Sequence, residues 1–258
     1  MELLSACFTG SLDSVSTLLF HSSQTQTYIN VNIQDFYGRT PFYLACQNGF
    51  VEIVKLLLRT EGVDVKKPSF NGETPFYIAC YNGHIEIVKL LLNDKRIDVN
   101  KPLNNSATSF YIACYNGHIE IVKLLLSDNR VDFNKANDYG WTPFYSACYK
   151  GHIEIVKLLL NDERVDINKA KNNGETPFYI ASRNGHIEIV KSLLNDQRFD
   201  VNKAKDEHGE TPFHSACSEK KIEIVKLLLN DKRISIRKKT NKGKTAVDIA
   251  KEYSHLNI

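Results

Sequence analysis

Hydrophobic and polar positions along this chain follow a recurring cycle of two patterns. In a representative stretch the polar turn Asn71-Gly72-Glu73 leads into Thr74-Pro75 and the apolar run Phe76-Tyr77-Ile78-Ala79-Cys80. Tyr81-Asn82-Gly83-His84 interrupts that run, and the amphipathic segment Ile85-Glu86-Ile87-Val88-Lys89-Leu90-Leu91-Leu92 follows. Thr74 suits a helix N-cap, and Pro75 suits the first helical position, where a missing N–H costs nothing. A short helix is therefore predicted up to Gly83, which can take the left-handed conformation that ends helices. A second helix is predicted over 85–92, with Ile85, Val88, Leu91 and Leu92 on one face and Glu86 and Lys89 turned outward. The stretch from Asp98-Val99-Asn100 to the next turn is short and polar, suiting an extended loop or hairpin. Neither helix is long enough to be stable alone.

The cycle repeats. The threonine that opens the first helix recurs at Thr40, Thr74, Thr108, Thr142, Thr176, Thr211 and Thr245, at intervals of 34 residues with one of 35. Ala6-Cys7-Phe8-Thr9-Gly10 and the stretch Leu12 to Leu19 match the helical part of a unit ahead of the first threonine. This gives a single domain over 1–258 with about eight units. Residues 1–34 form an N-terminal capping unit, and full units span 35–68, 69–102, 103–136, 137–170, 171–205 and 206–239. Residues 240–258 form an incomplete C-terminal unit, in which Ser254 to Ile258 would only begin a second helix. Residues His21 to Tyr28 hold an insertion of about five residues. Stacking on neighbouring units must supply the buried surface, so the expected fold class is an all-α solenoid of helix–turn–helix units with projecting loops or short hairpins.

The recurring Gly-x-Thr-Pro-Phe-Tyr-x-Ala-Cys, Gly-His-Ile-Glu-Ile-Val-Lys-Leu-Leu-Leu and Asp-Val-Asn resemble the ankyrin repeat over nearly the whole chain, roughly Glu2 to Asn257. The departures are consistent. Tyr43, Tyr77, Tyr111, Tyr145 and Tyr179 stand where the family usually has His, while His214 keeps it. The period is one residue longer, between the second helix and Asp-Val-Asn. In the third full-length unit Ser106 replaces the Gly and Ser109 the Pro, which makes it the expected weak link. The resemblance also implies that asparagines such as Asn100, Asn168 and Asn202 lie in a context similar to that of asparaginyl hydroxylation.

Composition excludes several function classes. With 33 Lys+Arg against 30 Asp+Glu the net charge is +3, and 42% of residues are hydrophobic, so the chain is neither disordered nor a dedicated nucleic-acid binder. Lysines interrupt every apolar run, so no membrane span is expected, and the N-terminus shows no secretory signal. The one dense basic cluster, from Arg233 to Lys244, suits a solvated end cap.

Six cysteines, Cys7, Cys46, Cys80, Cys114, Cys148 and Cys217, occupy one position of the repeat. Packed helices lie about 8–10 Å apart, beyond the ~7 Å reach of a disulfide, so adjacent copies cannot pair. Reduced thiols point to the cytoplasm, or the nucleus. His84, His118, His152 and His186 follow a Cys or Ser by four residues, but a helix-ending glycine intervenes. No metal, no cofactor and no catalytic residue is expected, and no phosphate-binding or nucleophile motif is present.

The resemblance implies binding of a protein partner through loop tips and the exposed side of the first helix. On the loops these positions are Phe36, Tyr37 and Arg39, then Phe70, Asn71 and Glu73, then Asn104 and Asn105, then Asp138, Tyr139 and Trp141, then Asn172, Asn173 and Glu175, then Glu207, His208 and Glu210. On the helices the row after the Cys position runs Gln47, Tyr81, Tyr115, Tyr149, Arg183 and Ser218, and its three tyrosines lie one turn after Tyr77, Tyr111 and Tyr145. Tyr, Trp and Arg dominate binding hot spots. The expected function is a non-catalytic protein–protein interaction module, a scaffold, adaptor or inhibitor, acting as a monomer. The alternative is a soluble regulatory region of a larger enzyme or channel.

Overall fold

The structure, a computed structural model, describes residues 1–25, 29–205 and 208–252, the side chains of 22–25 excepted. Part of the 21–28 insertion, the tip residue Glu207 and the helix start expected at Ser254 to Ile258 lie outside these residues. Among the described residues fifteen helices occur, with one isolated antiparallel bridge, Lys239 to Thr245. The fold class is the all-α ankyrin-type arrangement that the repeat predicts.

The chain divides into two compact units, Met1–Asp132 and Phe133–Ile258. The first holds α1 (Glu2–Thr9), α2 (Leu12–Thr25), α3 (Pro41–Asn48), α4 (Val51–Arg59), α5 (Pro75–Asn82), α6 (Ile85–Leu92), α7 (Ser109–Asn116) and α8 (Ile119–Leu126). The second holds α9 (Pro143–Lys150), α10 (Ile153–Leu160), α11 (Pro177–Asn184), α12 (Ile187–Leu194), α13 (Pro212–Ser218), α14 (Ile222–Leu229) and α15 (Ala246–Glu252). Within each unit the first helices of successive repeats pack side by side, and the second helices pack in a parallel layer behind them.

Local sequence sets each element. The Thr74 hydroxyl accepts the Tyr77 N–H and Pro75 opens α5; the same cap recurs at Thr40, Thr142 and Thr176. Gly83 ends α5 at φ 79°, and a Cβ there would come within 2.8 Å of the His118 ring. Glycine is therefore required both by conformation and by close approach. That histidine is the mortar of the repeat: His118 Nε2 lies 2.8 Å from the Tyr81 carbonyl oxygen, and His84 and His186 make the same contact with Gln47 and Tyr149.

The second helices differ from expectation in which apolar side chains they bury. Ile87, Val88 and Leu91 are buried in α6, whereas Ile85 and Leu92 are only half-buried. The helix is clamped on one side by its own first helix and on the other by neighbouring second helices, which turns Ile87 inward. Glu86 and Lys89 pair at 2.7 Å on the outside, as do Glu52 and Lys55.

Two further ties join repeats. Asn100 Nδ2 donates to the Arg130 carbonyl at 2.6 Å, and its Oδ1 accepts the Asp132 N–H at 2.8 Å. Arg130, forked onto Asp128, also donates to the Leu92 carbonyl at 2.8 Å, placing a cation at the negative end of α6. The six cysteines are free and buried on the first helices, where each acts as a small apolar side chain.

Candidate functional site

In the first unit the loop before α3 is a tight turn. Asp35 accepts the N–H groups of Tyr37 and Arg39 and pairs with the Arg39 guanidinium at 2.7 Å. Those hydrogen bonds hold the Asp35 carboxyl below its usual pKa, although burial opposes them. Phe36 is thereby presented to solvent at 95% exposure and Tyr37 at 67%. The Phe70 N–H donates to the Tyr37 carbonyl at 3.0 Å, locking this tip to the next one. The Phe70 ring lies against Gly38, at φ 77°, where a Cβ would come within 2.5 Å of it, yet the ring stays 69% exposed. Arg39 stacks over Tyr37 at 4.8 Å. Phe36, Tyr37, Arg39 and Phe70 are thus brought together as one aromatic and basic tip.

The second unit is built differently. Tyr139 is 68% exposed, and its carbonyl accepts the Asn172 N–H at 3.2 Å. Trp141 turns inward and packs on Tyr149 at 4.7 Å and Tyr145 at 5.2 Å, with the Lys171 ammonium 5.8 Å from its ring centre. Tyr139, Trp141, Lys171, Asn172 and Asn173 line a shallow, mainly apolar hollow.

The helix row is uneven. Tyr81 is exposed beside Tyr77, at 6.4 Å, whereas Tyr115 stacks on Tyr111 at 6.0 Å and is half-buried. Tyr149 is half-buried because Trp141 covers it. Arg183 reaches Glu219 at 3.4 Å and Glu175 at 3.6 Å.

Sequence reasoning misplaced one set of tip residues. Glu73, Glu175 and Glu210 point inward, not into solvent. Their carboxylates accept the hydroxyls of Tyr43 at 2.8 Å, Tyr145 at 3.1 Å and Tyr179 at 3.3 Å, each tyrosine belonging to the preceding repeat. These are tyrosines that replace the family His, and each hydroxyl finds its acceptor in the Glu before the next repeat's Thr. Glu175 is 2% exposed and is held by Lys171 at 2.6 Å, with Arg183 and Lys205 each at 3.6 Å. Burial alone would raise its pKa; the Lys171 ammonium, the Tyr145 hydroxyl and the Lys205 charge outweigh burial and lower it. The spacing of about 30 residues from Tyr to Glu was the available signal.

Comparison with known families settles the architecture. A sequence model described as ankyrin repeats (3 copies) matches residues 3–103, 110–205, 163–242 and 197–258, and one described as ankyrin repeats (many copies) matches 90–126. The chain belongs to the ankyrin-repeat family. A comparison with curated proteins finds no match. Ankyrin repeats are generally protein–protein interaction modules, and the fold is typically non-catalytic. Burial pushes the Cys7 thiol up to about 12 and the Cys217 thiol to about 11, which keeps both protonated and poorly nucleophilic at neutral pH. Among the described residues no His, Cys, Asp or Glu cluster could hold a metal ion, and no helix is long and apolar enough to cross a membrane.

Proposed function

We propose that this chain is a non-catalytic recognition module that binds a protein partner through its loop tips and the open side of its first helices. One observation carries the reading: Phe36, Tyr37, Phe70 and Tyr139 are exposed large aromatic side chains on turns fixed by hydrogen bonds. Rigid, exposed aromatic groups offer contact area at low entropic cost, the property that marks binding hot spots. Tyr81 and Arg183 extend that contact onto the helices. Trp141, Tyr149 and Tyr115 act from beneath, by holding the surface in shape. Six unpaired, buried cysteines suit a reducing compartment, the cytoplasm or nucleus.

The test is affinity capture from native lysate with quantitative mass spectrometry. It compares the parent chain with Phe36→Ser/Tyr37→Ser and with Tyr139→Ser, after circular dichroism shows unchanged helix content. The tip variants lose the specific captured protein, since a hot-spot residue contributes about 2 kcal/mol or more. Full retention by both variants would refute the reading.

A further inference from the structure

The loop after the last complete helical pair differs in charge from its earlier copies. Those copies carry Asp, an apolar residue and usually Asn, as at Asp98-Val99-Asn100 and Asp200-Val201-Asn202; the last reads Ser235-Ile236-Arg237. From Lys232 to Val247 there are seven basic side chains and no acidic one. With those seven set aside, the remaining 26 Lys and Arg are outnumbered by 30 Asp and Glu, so the net positive charge of the chain resides in this segment.

The segment is a closed loop. The Lys239–Thr245 bridge closes it, the Thr240 N–H donates to the Lys244 carbonyl at 2.9 Å, and the Asn241 N–H donates to the His208 carbonyl at 2.9 Å. Some of its cations are engaged. Arg233 pairs with Asp231, Lys244 with Glu252 at 2.6 Å, Lys238 donates to the Asn202 carbonyl, and Asp248 faces Lys239. Arg237 and Lys242 are exposed, and among the described residues neither makes an ion pair. Next to Arg237 in the chain, Ile236 is 46% exposed, although Val99 and Val201 at the equivalent position are buried.

The geometry points to this loop as a docking site for an acidic segment of a protein partner, one that carries an aliphatic side chain among its carboxylates. Like charges are held together here by the backbone, so binding of a polyanion orders side chains but no further loop backbone. Charge complementarity selects the partner and steers its approach, and Ile236 supplies the apolar contact. Residues 232–252 contain no aromatic side chain on which nucleobases could stack, which disfavours single-stranded nucleic acid. A closed loop with isolated aliphatic side chains also lacks the amphipathic helix or flexible polybasic tail that anchors to anionic lipid. The site is separate from the aromatic tips.

Fluorescence anisotropy on the full chain tests this, with a labelled peptide of Glu and Asp containing Leu. Comparators are the same peptide with Ser for Leu, an oligonucleotide of equal charge, and phosphatidylserine-containing vesicles. The acidic peptide binds; Arg237→Glu/Lys242→Glu weakens it about tenfold or more, as does raising salt from about 50 to 300 mM. Ile236→Ser weakens the Leu peptide but not the Ser peptide, and Phe36→Ser/Tyr37→Ser leaves both unchanged, so failure here is distinguishable from failure of the tip reading. Should the double charge reversal unfold the chain, Lys242→Gln serves in its place, with a smaller loss. Absence of peptide binding at low salt, equal binding by the charge variants, or tighter binding of the oligonucleotide or vesicles would overturn the proposal.

Discussion

Glu175 offers the most demanding test of how the repeats are joined. Glu175→Gln keeps the volume of the side chain and leaves an amide oxygen that can still accept the Tyr145 hydroxyl, but it removes the charge that Lys171, Arg183 and Lys205 share. Breaking a fully buried ion pair costs about 3–5 kcal/mol. Here the carboxylate is buried while Lys171 and Lys205 are about one-fifth exposed and Arg183 more so, so the cations can turn toward water and the cost falls to about 2 kcal/mol. Tyr145→Phe removes only one donor from a carboxylate with other partners and costs about 1 kcal/mol. The sole tryptophan, Trp141, lies 5.2 Å from Tyr145, so its fluorescence during urea unfolding reports on this region directly. The dependence on pH has a defined sign. Because the folded Glu175 pKa is lowered, its contribution is complete above the ordinary carboxylate range and is lost as pH falls through the folded value. The parent therefore loses more stability than Glu175→Gln on acidification. A Glu175→Gln stability within about 0.5 kcal/mol of the parent at pH 7 would show that the cluster is incidental.

Three further outcomes follow from the same structure. Titration with a thiol reagent under non-reducing conditions finds six free thiols that react mainly on unfolding; fast reaction in the native state, or a missing pair, would contradict the buried packing. Ser106 is held at φ 65°, so Ser106→Gly relieves strain of up to about 1 kcal/mol, and hydrogen exchange of the parent is faster around 104–113 than around 174–182. Lys66 stands where Asn100 ties two backbone groups of the next repeat, so Lys66→Asn raises stability by about 1 kcal/mol in urea melts, and no gain would deny those ties a net role.

The repeat itself was plain in the sequence because each of its devices is local. A threonine followed by proline starts a helix, and a glycine in the left-handed region stops it, whatever lies beyond. What depends on the neighbouring repeat was less legible. Ile87 and Ile85 are equally apolar, and only the flanking second helices decide which is covered. Tyr81, Tyr115 and Tyr149 read as one row, yet Trp141, standing where Glu73 stands two repeats earlier, packs over Tyr149 of its own repeat and leaves it half-buried. Glu175 looked like a solvent-facing tip because it is charged and sits beside a turn. Its burial became intelligible only with a tyrosine 30 residues earlier and lysines on either side.

Hydrogen exchange of the chain with and without its captured partner tests the recognition reading most directly, because it maps the contact without altering a residue. Protection on binding at 35–39, 69–73 and 138–141, extending onto the first helices at Tyr81 and Arg183, is the predicted result. Protection confined to the second helices, along the outward Glu52–Lys55 and Glu86–Lys89 pairs, would contradict it.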